Sequence, residues 1–412
     1  MMSAQHVHCC IAGGGPAGLV LGVLLARAGL QVAVLEKHAD FLRDFRGDTI
    51  HPSTLQVMSE LGWLAEFLEL PHQKVTQIGA DYAGRYLPLG DFTGIRAACP
   101  YIALMPQWDF LSFLAGKGRS YAGFELRMNT EAIGLVFSGD RVTGVKAVSP
   151  AGKEIITADL VVAADGRGSV LRERAGLKVH DLGAPIDVLW FKLPRKSDDP
   201  AQTMARFESR HMVVLLNRGD YWQCAYIIAK GDFERIKAEG LHAFRADLSE
   251  SLPFTADRLY AIASWYDVKL LSVRVDRLET WWRDGFLCIG DAAHAMSPVG
   301  GVGINLAVQD AVAASNILFR PLGRRRLQSA DLAAVQRRRL WPTRLTQAMQ
   351  VAAHRRLLAP LLKGELTAQP PLPMRVLASS PMLRGLLGRT IGIGVRPEHV
   401  SPAIRKAAGT PV

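Results

Sequence analysis

The sequence predicts an α/β fold in which one parallel sheet is assembled from distant stretches of chain, with a second sheet-based unit inserted between them. Three observations predict it. The chain opens on a strand–turn–helix–strand unit: residues 6–12 read as a short apolar strand, 13–18 as a glycine turn, the Ala/Leu-rich stretch to Ala28-Gly29 as a helix, and 31–35 as a second strand. That order is a βαβ crossover, which places the two strands side by side and parallel. Two further apolar strands, 160–164 and 285–289, stop at Asp165-Gly166 and Gly290-Asp291 and are followed by turns and helical patterns. Strands that all end in Gly/Asp turns belong in one sheet, whatever separates them in sequence.

The intervening stretches justify the inserted unit. Between Leu182 and Val275, β-type runs at 188–191, 211–215 and 221–228 surround a helix-like run at 233–249, and 75–103 supplies strands to the same part of the molecule. After Asp310 the pattern turns helical, interrupted by Pro370-Pro371-Leu372-Pro373. The expected division is a discontinuous domain of residues 1–74, 104–181 and 276–320, a substrate domain of 75–103 and 182–275, and a basic helical C-terminal region of 321–412. A chain of 412 residues is long enough for two packed cores.

Composition narrows the function. With 49% hydrophobic and 21% charged residues the chain is an ordinary globular one. The opening residues lack a basic segment followed by a long apolar stretch, and other apolar runs are broken by Gly and Arg, so neither a secretory signal nor a membrane span is expected. Cys9, Cys10, Cys99, Cys224 and Cys288 form an odd set without CxxC or zinc spacing, which points to buried thiols, a cytoplasmic setting and no metal. The net charge of +11 lies in the tail, where 16 Lys and Arg face only Asp331, Glu365 and Glu398. The runs Arg324-Arg325-Arg326 and Arg337-Arg338-Arg339 are read first as solvated helix faces, and second as contacts for an anionic membrane surface or an acidic partner. No recognition module accompanies them, so nucleic acid is not expected.

Chemistry concentrates in the turns. Gly13, Gly15 and Gly18 have the GxGxxG spacing, with Pro16 and Ala17 opening the helix and Glu36, followed by Lys37, closing the next strand. Glycines allow a tight turn and close approach of a pyrophosphate, helix-start N–H groups favour its charge, and an acid at this position accepts hydrogen bonds from a ribose. The turn predicts dinucleotide binding but does not distinguish FAD from NAD. The second cluster, Gly290-Asp291-Ala292-Ala293-His294 continuing through Ser297-Pro298, Gly301, Gly303, Ile304-Asn305, Ala307 and Asp310-Ala311, carries further information. It resembles the C-terminal flavin motif of the para-hydroxybenzoate hydroxylase-like, or class A, flavoprotein monooxygenases. Asp165-Gly166 resembles that family's DG motif, and Arg46-Gly47-Asp48 the segment whose arginine lies beside the flavin.

The resemblance spans most of residues 5–320. It implies a Rossmann-like FAD-binding domain of the GR2 type with non-covalently bound FAD. It further implies that Asp291 binds a ribityl hydroxyl, that the glycines and helix start from Pro298 to Asn305 meet the pyrimidine end of the flavin, and that Asp165 serves flavin placement and passage of the nicotinamide cofactor. Arg46 would contact FAD or the incoming nicotinamide nucleotide, and Gln107 the ribityl chain. By the same resemblance NAD(P)H reduces the flavin, O2 adds at its C4a carbon, and the hydroperoxide hydroxylates an aromatic, quinone-like or polycyclic small molecule. His51 is read either as facing the substrate or as preceding a helix cap. Tyr221, Trp222, Tyr226 and His211 are the substrate-side candidates, and no catalytic base is identifiable.

Absent motifs count as well. There is no second GxGxxG, no CxxxxC redox pair, no WxWxIP halogenase signature and no serine-nucleophile elbow. The alternatives left open are a flavin oxidase or reductase that inserts no oxygen, a flavoprotein without turnover, and an NAD-linked dehydrogenase.

Overall fold

The structure is a computed structural model, described here for residues 6–42, 49–82, 84–200, 203–208, 211–365 and 369–407. Its main sheet runs in the order Trp282–Arg283, Phe286–Cys288, Gly152–Ala163, His6–Ala12, Val32–Leu35 and Phe124–Arg127, with the hairpin strands Glu131–Ser138 and Arg141–Ser149 attached beside Gly152–Ala163. His6–Ala12 pairs in parallel with both Gly152–Ala163 and Val32–Leu35, and Gly152–Ala163 pairs in parallel with Phe286–Cys288. The register sets Ala12 opposite Leu35 and Ala163, and Ala163 opposite Cys288. The carboxyl ends of strands drawn from three regions of sequence are thus level. Cys9, Cys10, Ile11 and Ala12 are all buried, since both faces of the strand are covered, and the run is therefore continuously apolar rather than alternating. All five cysteines are buried and free.

The helix Pro16–Arg27 packs against Gln107–Arg119 and against the 21-residue helix Gly303–Gly323. A small sheet of Thr49–Ile50, Ile102–Leu104 and Gln73–Val75 links the main sheet to a second, seven-stranded one. The second sheet runs Lys269–Leu271, Ile186–Pro194, Tyr221–Ala229, His211–Asn217, Met204–Glu208, Gln77–Tyr82, Arg85–Asp91, and only the pairing of Met204–Glu208 with Gln77–Tyr82 is parallel.

Strand alternation gives this sheet two different faces. Leu189, Phe191, Leu193, Trp222, Cys224 and Tyr226 pack under the helices Phe233–Glu239 and Leu241–Ser251. Those helices replace the single helical run expected there, because Gly240 adopts φ 94° and breaks it. Val188, Trp190, Met212, Val214 and Ile227 turn the other way, toward Val299 and toward Leu358, Leu361 and Met374 of the C-terminal region. That region comprises the 25-residue helix Ser329–Ala353, a π-helical turn at His354–Leu358, and the helices Ala359–Leu362, Leu372–Ser379, Pro381–Gly392 and Pro402–Lys406.

Candidate functional site

Three turns meet at the level carboxyl edge of the main sheet. In the first, Gly13 has φ +106° and a Cβ there would lie 2.3 Å from the Ala164 carbonyl oxygen; a Cβ on Gly18 would lie 1.9 Å from the Gly13 carbonyl oxygen. The fold itself demands both glycines. A Cβ on Gly15 would meet nothing within 4 Å, so that glycine borders open space at the start of a helix. Pro16 fills the first helical position, where no N–H is needed, and Ala17 is buried behind it. Buried Glu36 accepts from the Gly14 N–H at 3.1 Å and the His38 N–H at 3.0 Å, which fixes the turn against the neighbouring strand, while Lys37 is exposed.

The second turn follows Gly152–Ala163. Asp165 Oδ1 is buried without a hydrogen-bond partner among the described residues, and burial pushes the carboxyl upward from its usual range. In the third, Gly290 (φ 59°) sits so close under the first helix that a Cβ would come 3.0 Å from the Ala17 methyl. Asp291 is partly exposed and pairs with Arg167 at 3.2 Å. Pro298 leads into Gly300 and Gly301, both left-handed, and the Gly301 carbonyl accepts from Thr49 Oγ1 at 2.8 Å. The helix then starts at Gly303 without a side-chain cap, and a Cβ on Gly303 would again meet nothing within 4 Å. Ile304 is buried behind it, and buried Asn305 accepts through Oδ1 from the Ser53 and Thr54 hydroxyls. Gln107 begins its own helix, half-buried, after Pro106. Arg46 lies outside the described residues.

This donor set fits a flavin dinucleotide. Two helix N-termini open onto free space, each at a glycine, suit an anionic pyrophosphate and the electron-rich end of a flavin. The buried, unpartnered Asp165 oxygen lacks a donor that a cofactor hydroxyl would supply.

Comparison with known proteins agrees. The family model described as FAD binding domain matches residues 6–349. The chain is 31% identical over 389 residues to 6-methylpretetramide 4-monooxygenase of Streptomyces rimosus, covering 93% of this chain and 92% of that protein. It belongs to the class A flavoprotein monooxygenases. A second relative, 12-dehydrotetracycline 5-monooxygenase/anhydrotetracycline 6-monooxygenase of Streptomyces rimosus subsp. rimosus, is 28% identical over 318 residues, which cover 73% of this chain and 60% of that longer protein. PqsL, a probable FAD-dependent monooxygenase from Pseudomonas aeruginosa, shares the fold with a TM-score of 0.74 at 21% identity, covering 88% of this chain and 99% of that one.

Within this flavoprotein monooxygenase the turns are held by residues whose part the motif reading did not bring out. Buried Arg172 donates to the Ala292 carbonyl at 3.3 Å and to the Arg167 carbonyl at 2.6 Å, joining the second turn to the third. Asp310, fully buried, accepts from the Gly290 N–H at 3.1 Å and faces His294 Nε2 at 2.6 Å through one oxygen, and accepts from Arg339 Nε at 3.0 Å through the other. Burial opposes the Asp310 carboxylate, yet His294 and Arg339 hold its carboxyl below the usual range. Arg339 continues to Glu398 at 3.3 Å, and Arg338 reaches the same oxygen at 2.6 Å. The reading of Arg337-Arg338-Arg339 as a solvated face is thereby corrected for Arg339 alone, which is only 2% exposed because two buried carboxylates require a cation, whereas Arg337 is exposed.

The long C-terminal helix also lays glutamines along the backbone of the third turn. Gln347 donates to the carbonyls of Asp276 and Ala295, and Gln350 donates to those of Ser297 and Val299 while accepting from the Ser297 N–H. His51 occupies the N-cap position of the helix Pro52–Glu60 without a side-chain capping bond, and it is fully buried. Its Nδ1 lies 2.9 Å from the Ile391 carbonyl and its Nε2 3.0 Å from the Gly301 carbonyl, and burial pushes the imidazole down to about 4 although both carbonyls oppose this. Of the substrate-side candidates, Trp222 and Tyr226 lie on the helix-covered face: the Trp222 indole donates to Asp199 at 2.8 Å and the Tyr226 hydroxyl lies 2.5 Å from His211. Trp190 lies on the opposite face, as the period-2 alternation of its strand dictates.

Proposed function

We propose that this FAD-dependent monooxygenase hydroxylates a fused-ring aromatic substrate with NAD(P)H as reductant and O2 as oxidant. The likeness over nearly the whole chain to 6-methylpretetramide 4-monooxygenase carries the reading. Bound FAD supplies the oxygen-activating chemistry when reduced.

The chain's own residues bind, orient and exclude water. Gly15, with the helix start at Pro16 and Ala17, would take the pyrophosphate, Glu36 and Lys37 the adenosine end, and Asp291 and Gln107 the ribityl chain. Pro298, Gly301, Gly303, Ile304 and Asn305 would border the flavin ring, Gly13, Gly18 and Gly290 shape the turns, and Asp165 and Arg46 would meet the flavin or the arriving nicotinamide. The substrate would lie between this edge and the apolar sheet face of Trp190, Met212 and Val214, where Val299 already packs. The flat indole and flexible thioether suit a planar, largely apolar ligand.

The deciding experiment is NADH or NADPH oxidation by the flavin-loaded protein in the presence of fused-ring polyphenols, with product masses read under labelled O2. Substrate-stimulated oxidation and one labelled oxygen in the product support the proposal. Turnover without oxygen incorporation supports the oxidase or reductase reading, and no stimulation by any ring system defeats the substrate class.

A further inference from the structure

The helices Leu372–Ser379 and Pro381–Gly392 both rest on the strand Arg85–Asp91. Their inward positions are filled. Met374 is buried, and a Cβ on Gly388 would stand 1.9 Å from the Asp91 carbonyl oxygen. Their outward positions carry Leu372 at 68% exposure, Val376 at 46%, Met382 at 78% and Leu386 at 59%. Within each helix the two residues are four apart and share one face. Arg375 and Arg389 are exposed beside them, and residues 369–397 contain Arg375, Arg384, Arg389 and Arg396 but no acidic residue.

We propose that this face docks on an anionic lipid surface. Large apolar side chains interleaved with arginine, on two helices that carry no carboxylate of their own, complement a layer whose acyl boundary is apolar and whose headgroups are negative. An acidic protein partner would satisfy the arginines but leave less reason for four protruding aliphatic side chains. Docking is in-plane: among the described residues no helix is long and apolar enough to cross a membrane.

The position gives the contact a use. Ile391, on the second of these helices, packs with Met296, Val302 and Leu306 of the third turn, and its carbonyl meets His51. A docked molecule therefore connects the lipid contact, through Ile391, to the turn proposed to border the flavin, while an apolar fused-ring compound concentrates at the lipid boundary. That consequence rests on the substrate class proposed above; the docking does not.

The test is co-flotation of the FAD-loaded protein with vesicles of phosphatidylcholine alone and of phosphatidylcholine mixed with phosphatidylglycerol, read without substrate. The expected result is binding to the mixed vesicles only, weakened by added salt. It should fall about tenfold or more in Met382→Glu/Leu386→Glu, with FAD content and circular dichroism unchanged. Failure to bind either vesicle, or equal binding by the double variant, overturns the proposal. Light scattering on the same samples supplies the other outcome: a wild-type dimer that the double variant converts to monomer, without vesicle binding, assigns the face to a second copy of this chain.

Discussion

Gly13 and Gly15 belong to one motif but answer to different constraints, and substitution separates them. At Gly13 an added methyl would strike the Ala164 carbonyl in a backbone conformation with φ +106°, so Gly13→Ala is expected to cost about 2–4 kcal/mol in denaturant unfolding. At Gly15 the same methyl meets empty space. Gly15→Ala should leave the stability of the flavin-free protein within about 1 kcal/mol yet weaken FAD roughly tenfold or more in a fluorescence titration; unchanged FAD affinity would remove Gly15 from the proposed cradle. His51 sets a pH dependence. Burial depresses its folded-state value to about 4, so as pH falls the unfolded chain takes up the proton first. The stabilisation is complete above the unfolded value of about 6.5 and is lost as pH falls toward 4, a swing of about 3 kcal/mol. Urea unfolding across that range should show the slope in the wild type and a flatter curve in His51→Gln.

At the scale of elements, the helix Ser329–Ala353 does more than cover the main sheet. Through Arg339 it neutralises Asp310, whose carboxylate holds the Gly290 N–H one residue before Asp291. Arg339→Met leaves Asp310 and Glu398 buried without that cation and is expected to cost about 3–5 kcal/mol, measured by thermal or urea unfolding. Arg339→Met/Asp310→Asn should recover part of the loss, and an equal loss in both variants would show that charge is not the cause. The strand Ile186–Pro194 makes a complementary case. Because its residues alternate, Tyr226 on the neighbouring strand lies with Leu189 on the helix-covered face and Trp190 lies on the other. Once a substrate is in hand, Tyr226→Phe should leave its KM within about threefold, whereas Trp190→Leu should raise it about tenfold, the scale of losing one apolar contact surface.

For the molecule as a whole, FAD is expected to act as a keystone, since the turns that would hold it come from residues 13–18, 165–169 and 290–303. A ligand bound only by the folded state at a hundred times its dissociation constant adds about 2.7 kcal/mol, so adding FAD to the stripped protein should raise its melting temperature. The C-terminal region should melt in the same transition, because its cation is buried against the flavin-side helix. The chain's positive charge thereby divides into two uses: Arg339 is consumed inside the fold, while Arg375 and Arg389 stand on the surface.

Much of this is legible in the sequence alone. The strand ends near Ala12, Ala163 and Cys288 could be read to within one residue, at 12, 164 and 289, from apolar runs stopped by Gly and Asp, because backbone conformation and burial on both faces act locally and leave a local trace. Of the stretch 75–103, residues 77–82 and 85–91 pair into the sheet of 186–229, whereas 102–104 pairs with 49–50 and 73–75 in the small sheet. The family followed from glycines and acids at fixed spacing, where short-range geometry requires a particular residue type.

By itself, then, the sequence determined the strand–turn–helix units, the flavin motifs and the family to which they belong. Only the tertiary structure decided that His51 lies between the carbonyls of Gly301 and Ile391, that Arg339 is a buried counter-ion rather than a solvated charge, and that Trp190 lies on the sheet face opposite Trp222. The physical reason is the range of the interaction. A glycine turn is dictated by its neighbours in sequence, whereas the partner of a buried charge or the outer face of a strand depends on which distant segment folds against it.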